Sequence, residues 1–314
     1  MINQRTKRLF LTLAKWIFSG GMLAYALHSI DVEIIAQMLL QQNPVVPITV
    51  ILLLIVQMAI STFRWQRLVF LLSEKTTQPS YIQLFNLNFI SVFFNSCLPG
   101  TIGGDVVRAM LLKSEKLPLT LCVHSVIIDR LLAVFAIFMM VIVSLPWLGE
   151  LLPSLPVNLL LAMSIAAIPV GLLFLVKAPV FIAKFPSTHL LRMTDNLIAS
   201  IHRTLFAASD FIIMLLQAVI AHGFFCLSAY LLAYSIGADF TFGDSLLLIP
   251  PILLLMMLPI SVGGWGVREV SMVGMLALVG IDKEAALTIS VQLGILAIIA
   301  SLPGAVIYAK RRKN

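Results

Sequence analysis

The sequence predicts an all-α polytopic membrane protein with about six spanning helices and two oppositely oriented re-entrant helical hairpins. Hydrophobic residues make up 60% of the 314-residue chain and charged residues only 11%, whereas soluble domains have about 45–50% and about 25%. One protein core cannot enclose so large an apolar excess, so lipid must surround most side chains. Because no polar linker divides the chain, we expect a single membrane domain over residues 1–314.

Eight apolar stretches define the predicted elements. They run near Leu9–Ile30, Pro47–Phe63, Ile82–Leu98, Leu119–Leu148, Val157–Val176, Phe211–Ile236, Ser245–Ile260 and Ala285–Ala309. A helix needs about 20 apolar residues to cross the hydrocarbon core, and the third and seventh stretches fall short of that length. Each of these two ends in Leu-Pro before a glycine-rich segment with an arginine. This pattern predicts a break at membrane depth rather than a crossing.

Basic residues predict the orientation, because cytoplasmic loops collect Lys and Arg. Clusters at residues 5–8 and 310–313 place both termini in the cytoplasm of a bacterial-type inner membrane. Segment 80–116 lies between basic loops, so it begins and ends on the cytoplasmic side. Segment 240–282 lies between acidic loops and begins and ends outside. The sequence therefore predicts two hairpins that enter the membrane from opposite faces.

One short pattern, L-P-x-x-[IV]-G-G-x-x-V-R, occurs at residues 98–108 and again at residues 258–268. We interpret it as the trace of an internal duplication, with repeats 1–150 and 151–314. Each repeat holds three spans, an odd number, so the second repeat lies inverted, as in many secondary transporters. Backbone that leaves a helix at membrane depth is tolerated only against protein or a watery cavity. Two such breaks predict a polar chamber between the repeats.

Arg108 and Arg268 occupy equivalent positions in the two copies, and each follows a Gly-Gly turn that opens a short helix. The start of a helix attracts anions, and arginine binds phosphate through two parallel hydrogen bonds. The predicted headgroup-binding residues are Arg108, Arg268, Asn95, Gly103, Gly104, Ser261, Gly263 and Gly264. The alternative is that each arginine pairs with a nearby carboxylate or reaches the interface, while the glycines only form turns.

Four further charged residues, Asp105, Asp129, Arg130 and Glu269, are predicted to line the polar cavity or to couple transport to protons. Ionisable residues inside a membrane are functional candidates by default. Asp105 and Glu269 accompany the two hairpin arginines, and Asp129-Arg130 lies within the apolar stretch from Leu119. The alternative for Asp129 and Arg130 is an ion pair that locks their helix to a hairpin.

Other residue patterns exclude several functions. Three cysteines in apolar surroundings and five scattered histidines show no metal-ligand spacing, and we expect no cofactor. The basic residues lie between apolar runs rather than on an aromatic-rich patch, so we expect no nucleic-acid partner. Arg64-Trp65-x-Arg67 resembles an interfacial anchor at the end of a span. The mixed apolar and basic segment 177–203 is predicted to lie on the cytoplasmic leaflet.

Three ordered motifs carry a resemblance to a known family. They are Asn95-x-x-Leu98-Pro99-Gly100-x-x-Gly103-Gly104-Asp105-x-x-Arg108, then Asp129-Arg130, then Pro259-x-Ser261-x-Gly263-Gly264-x-Gly266-x-Arg268-Glu269. Together they resemble the signature of the flippase-like family related to the transmembrane region of lysylphosphatidylglycerol synthases. In multi-domain members this region is held to move an aminoacylated phospholipid from the inner to the outer leaflet. The sequence has no counterpart of the soluble synthase domain, so the resemblance implies a flippase-like module without aminoacyl transfer.

Three functions follow as hypotheses. The first is translocation of an anionic phospholipid or lipid-linked intermediate, whose phosphate the hairpin arginines bind in a central polar cavity. The second is a membrane-embedded transferase that acts on a lipid-linked substrate, with Asp105 or Glu269 as base. The third is a non-transporting, lipid-binding scaffold for an enzyme of lipid or envelope biosynthesis. The sequence specifies neither the lipid nor the energy source, direction or oligomeric state.

Overall fold

The computed structural model describes residues 32–73, 79–97, 103–113, 117–152, 189–257 and 261–313, with isolated positions at 20–22, 24 and 163. Within these ranges all regular structure is helical, which confirms the predicted all-α class. The predicted spans near residues 9–30 and 157–176 lie almost entirely outside the described residues. Residues 98–102 and 258–260, where the two glycine-rich segments begin, also lie outside them.

The described helices are labelled α1 to α10 in chain order. They are α1 Val32–Gln41, α2 Val45–Leu72, α3 Tyr81–Cys97, α4 Gly103–Lys113, α5 Leu119–Leu151, α6 His189–Phe206, α7 Ala208–Ser235, α8 Phe242–Met257, α9 Val267–Leu276 and α10 Lys283–Lys313. A 3-10 turn, Ala277–Val279, follows α9.

Four of the described helices, α2, α5, α7 and α10, are long and apolar enough to cross a membrane. They contain 28, 33, 28 and 31 residues. At 1.5 Å per residue they measure about 42–50 Å, which exceeds the roughly 30 Å of a hydrocarbon core. The protein is therefore an integral membrane protein.

Two pairs of shorter helices, α3 with α4 and α8 with α9, flank the glycine-rich segments. The four helices have 17, 11, 16 and 10 residues, so the longest measures only about 26 Å. Asn95 contacts Gly104, whereas Asn88, earlier in α3, contacts Arg108, later in α4. Helices α3 and α4 are therefore antiparallel and form the first hairpin. Helices α8 and α9 also pack on each other and are called the second hairpin. The positions of both hairpins in the membrane remain predictions.

The long helices hold both pairs in place. α2 packs most extensively on α7, and α5 contacts both of them. α10 packs against α3 of the first pair and α9 of the second, while α5 packs against α4 and α8. At Gly304 of α10, an added Cβ would lie 2.3 Å from the main-chain oxygen of Phe89 in α3. The backbones of α10 and α3 are therefore in direct contact, which only glycine allows.

Candidate functional site

Five charged side chains form a continuous chain between α2, α4 and α5, which we call the first charge cluster. Asp129 accepts hydrogen bonds from Arg64 Nε at 2.8 Å and from Arg108 Nη1 at 3.2 Å. Asp105 accepts from Arg108 Nη2 at 3.2 Å and from Arg130 Nε at 2.5 Å. Only the Arg130 side chain is substantially exposed, at 33%. The cluster thus joins α5 to the first hairpin through two bridges, Arg108–Asp129 and Arg130–Asp105.

Arg108 lies at the centre of this cluster. Its guanidinium carbon lies 4.6 Å from the centre of the Trp65 ring, a cation–π contact. Its Nη1 atom also lies 3.5 Å from the side-chain oxygen of Asn88. Among the described residues, its Nε atom is buried without a hydrogen-bond partner. Burying a donor without a partner costs free energy. Arg108 can therefore still donate one hydrogen bond, from its Nε atom.

The role predicted for Arg64 and Trp65 as an interfacial anchor is wrong. Arg64 is 4% exposed and Trp65 is fully buried. The apolar run ends at Phe63, but α2 continues to Leu72, so both residues lie inside the bundle. Trp65, Leu68 and Leu72 continue the helical spacing of apolar residues beyond Arg64, and this signal predicts a longer helix. Arg64 and Trp65 are therefore site residues that the sequence interpretation missed.

The second charge cluster surrounds Arg268 at the start of α9. Glu269 Oε1 accepts from Arg268 Nη2 at 2.7 Å and from its Nε at 3.0 Å. Ser290 of α10 accepts from the same Nε at 3.2 Å. The guanidinium lies 4.5 Å from the centre of the Trp265 ring and directly against Gly294, where an added Cβ would come 2.1 Å from Nη2. Arg268 is thus enclosed by its own hairpin and α10.

The turn into each short helix is closed by a side chain. Asn95 Oδ1 accepts a hydrogen bond from Gly104 N at 2.8 Å, and Glu269 Oε2 accepts one from Gly266 N at 2.6 Å. Such bonds satisfy the free N–H groups at a helix start. An added Cβ at Gly104 would lie 1.9 Å from Ser91 O, so α3 and α4 meet backbone to backbone there.

The two hairpins meet at Gly263. This residue has φ +57°, and an added Cβ would lie 3.2 Å from the main-chain oxygen of Ser96, at the end of α3. Ser261, two residues earlier, is fully buried, and its hydroxyl has no hydrogen-bond partner among the described residues. The turn of the second hairpin therefore packs on the end of the first, beside an unused hydroxyl group.

The structure brings the predicted site residues into three groups. Asp105, Arg108, Asp129 and Arg130 belong to the first charge cluster, and Arg268 and Glu269 to the second. Asn95, Gly104, Ser261 and Gly263 lie at or beside the hairpin junction, Gly103 begins α4, and Gly264 continues the second turn with φ +83°. Both arginines pair with carboxylates, as one of the alternatives predicted. Within the described ranges no cluster of His, Cys, Asp or Glu is suited to a metal ion.

The fold and the site define the class of protein: it is a helical integral membrane protein with buried charge clusters on two contacting helix pairs. The family model for the lysylphosphatidylglycerol synthase TM region matches residues 12–304, and the chain belongs to this family. The match confirms the resemblance carried by the three motifs. No curated protein matches the chain. Membership of this family indicates a function related to membrane lipids.

Proposed function

We propose that the protein moves an anionic phospholipid or a lipid-linked intermediate between membrane leaflets and binds its headgroup phosphate between the two hairpins. The observation that carries this proposal is the contact of Gly263 with Ser96, with a buried arginine behind each turn. Arginine inside a membrane is costly unless paired or solvated. Two such residues, one in the charge cluster behind each turn, suit an anionic headgroup that must cross the apolar layer.

The helix order supports the inverted repeat on which such movement depends. The pairs α2/α7, α3/α8, α4/α9 and α5/α10 follow one another in the same sequence in each half. Their lengths are 28 and 28, 17 and 16, 11 and 10, and 33 and 31 residues. In transporters built from inverted repeats, rocking of one half against the other exposes a site at the repeat interface alternately to each side.

The two unused donors, one in the first charge cluster and one at the junction, suit a phosphate. Arg108 Nε and Ser261 Oγ, one on each hairpin, are buried donors without a partner among the described residues. Phosphate oxygens accept hydrogen bonds from both groups, and bonds to a charged donor are the stronger ones. Asp105 and Asp129 hold the two Nη atoms of Arg108 and so orient its Nε. The acyl tails stay in the bilayer while the headgroup occupies the junction.

We further propose that the protein resides in a bacterial-type cytoplasmic membrane with both termini inside. The basic tail, Lys310 to Lys313, supports this orientation. In this frame the first hairpin enters from the cytoplasm and the second from the outer side. An anionic lipid of the inner leaflet then meets the first charge cluster before it reaches the second.

Reconstitution in liposomes with a fluorescent anionic phospholipid tests the proposal. Arg108→Gln and Arg268→Gln are each expected to slow lipid translocation at least tenfold, and Arg108→Lys, which keeps the charge but not the planar fork, to give a smaller loss. Arg67→Gln is the matched control, because Arg67 pairs with Asp210 at 2.7 Å and its side chain is 38% exposed.

Wild-type rates in both glutamine variants, with unchanged melting temperatures, would show that the headgroup site lies elsewhere. Turnover of a lipid-linked substrate by protein in detergent, where there are no leaflets to cross, would instead identify the transferase. Unchanged lipid translocation in a deletion strain, together with loss of a biosynthetic enzyme that normally co-purifies with the protein, would identify the scaffold.

A further inference from the structure

A polar pocket lies where the ends of α2 and α5 meet α6, and none of its lining residues belongs to a charge cluster. Its volume is about 350 Å³, within the usual range of small-molecule sites, about 300–1,000 Å³. Leu72, the last residue of α2, and Thr120, the second residue of α5, both line it. Since both helices are long enough to span a membrane, the pocket lies where the spans end and a polar ligand can reach it.

One wall of the pocket is the start of α5. The first hydrogen bond inside this helix runs from Cys122 N to Pro118 O at 3.1 Å, so the N–H groups of residues 119–121 have no acceptor within the helix. Pro118 provides no side-chain cap. Thr120 and Leu121 line the pocket. Free N–H groups and the helix dipole at such a start favour an anion.

The wall formed by α6 adds a positive charge. Arg203 lines the pocket, and its Nη1 atom donates to Leu72 O at 3.4 Å. Its guanidinium group keeps its charge at every physiological pH. Asn196 and Ser200 lie seven and three residues earlier, on the same face of the helix, and line the pocket too. Among the described residues no acidic side chain lines it, so the charge of the pocket also favours an anion.

His124 indicates which kind of anion fits. It lines the pocket but is only 8% exposed, and its Nδ1 atom lies 3.0 Å from Ser200 Oγ. Ser200 donates its single hydroxyl proton to Asn196 O at 2.9 Å, so its oxygen accepts from His124 Nδ1. In the neutral ring Nε2 is then an acceptor, and no donor to it is found among the described residues. An anion that brings its own O–H group would satisfy this nitrogen.

We propose that this pocket binds a phosphate group that keeps one P–O–H, either free hydrogen phosphate or the phosphomonoester headgroup of a lipid. Its charged oxygens face the start of α5 and the charge of Arg203, and its hydroxyl group donates to His124 Nε2. A phosphodiester has no P–O–H group and fits less well. The site is separate from the hairpin junction and requires binding only, so it stands whether or not the protein translocates lipid.

Protection of a cysteine in the pocket wall tests the site. In a chain with Cys97, Cys122 and Cys226 replaced by serine, Ala199→Cys places a thiol at an exposed position of the lining. In phosphatidylcholine nanodiscs at pH 7, inorganic phosphate is expected to slow the reaction of this thiol with N-ethylmaleimide at least fivefold, compared with chloride at equal ionic strength. Phe206→Cys is the matched control, because Phe206 lies on the same helix, is 74% exposed and lies outside the pocket.

Two arms of the experiment distinguish the sources of phosphate. Protection by phosphatidic acid in the nanodisc, without free phosphate, would identify a lipid headgroup as the ligand, and protection by inorganic phosphate alone would identify the free ion. Either result supports the site, whereas protection by neither would overturn it. Sulfate has no proton to donate at pH 7 and should protect at least threefold less than phosphate. Equal protection by sulfate would overturn the proposal of a ligand that donates to His124.

Arg203→Gln, which removes the charge, and His124→Leu, which removes the acceptor, should each reduce the protection by phosphate to less than twofold. Arg203 is exposed, so its variant should fold even if His124→Leu does not. Full protection in a folded Arg203→Gln variant would overturn the proposal. Protection that appears only after Glu74→Gln or Glu115→Gln would also overturn it, because a carboxylate of this chain would then be the occupant of the pocket.

Discussion

Gly263 of the second hairpin lies against the main-chain oxygen of Ser96 in the first, so close that an added Cβ would be 3.2 Å from it. The contact joins two segments that are more than 160 residues apart in the chain. It also places the second copy of the L-P-x-x-[IV]-G-G-x-x-V-R pattern against the end of α3, the helix that precedes the first copy. The consequences of this junction and of the charge clusters behind it are open to direct measurement.

Gly263→Ala should destabilise the junction. Its φ of +57° is left-handed, a conformation that costs a residue with a Cβ about 1–2 kcal/mol, and the new methyl group would press on Ser96. We expect a lower melting temperature in detergent. Gly274→Ala is the control, since Gly274 lies within helix α9 and nothing lies within 4 Å of its added Cβ. Equal melting of the two variants would contradict the close contact.

Asp129→Asn should disrupt the first charge cluster and so destabilise the folded protein. The substitution removes the carboxylate that both Arg64 and Arg108 contact, and breaking a buried ion pair costs about 3–5 kcal/mol. Asp210→Asn breaks the more exposed Arg67 pair and should cost less than about 1 kcal/mol. Unfolding in denaturant measures both. A loss of stability no larger for Asp129→Asn than for Asp210→Asn would show that the cluster does not hold α5 to the hairpin.

Gly294→Ala should move Arg268 without removing its charge. The added methyl group would come 2.1 Å from Nη2, so the guanidinium must leave Glu269 or Ser290. If Arg268 contacts the headgroup, lipid translocation should fall about tenfold while the protein stays folded. Gly223→Ala, in α7 with nothing within 4 Å of the added Cβ, should leave the rate unchanged. An unaltered rate for Gly294→Ala would argue that the exact position of Arg268 is unimportant.

Cysteine labelling can test whether the two hairpins enter the membrane from opposite sides. In a chain with Cys97, Cys122 and Cys226 replaced by serine, Lys113→Cys and Lys283→Cys report on the ends of the first and second hairpins. An impermeant maleimide should label Lys283→Cys in whole cells and Lys113→Cys only in inverted vesicles. Lys310→Cys, in the basic tail, should behave like Lys113→Cys. Labelling of all three from one side would exclude the inverted arrangement.

Helix class and extent could be predicted because they depend on local composition. The stretch from Leu119 to Leu148 became α5, Leu119–Leu151, since a run of apolar residues in lipid has few alternatives to a helix. The described parts of the two shorter stretches, α3 to Cys97 and α8 to Met257, are helical as well. The interpretation failed at Arg64, which was taken as the end of a span although α2 continues to Leu72.

The partners of the charged residues could not be predicted from sequence spacing. Arg64 is buried because Asp129 lies opposite it across α2 and α5, and these residues are 65 positions apart. The choice between a paired and an anion-binding Arg108 depends on the same packing. The close contacts at Gly294 and Gly304 depend on which side of α10 faces each hairpin, and a helix that is apolar all round does not reveal this.

Gly294 and Gly304 let both hairpins lie directly against α10. They lie about 15 Å apart along the helix and about a quarter turn apart around it. Each allows one hairpin to approach the α10 backbone closely: Arg268 of α9 lies against Gly294, and Phe89 of α3 lies against Gly304. At Gly304 main chain meets main chain, whereas at Gly294 the guanidinium of Arg268 lies against the helix, so rotation of α10 would disturb its contacts with both hairpins. α10 therefore links the two hairpins, and a larger side chain at either glycine would push one of them away from it.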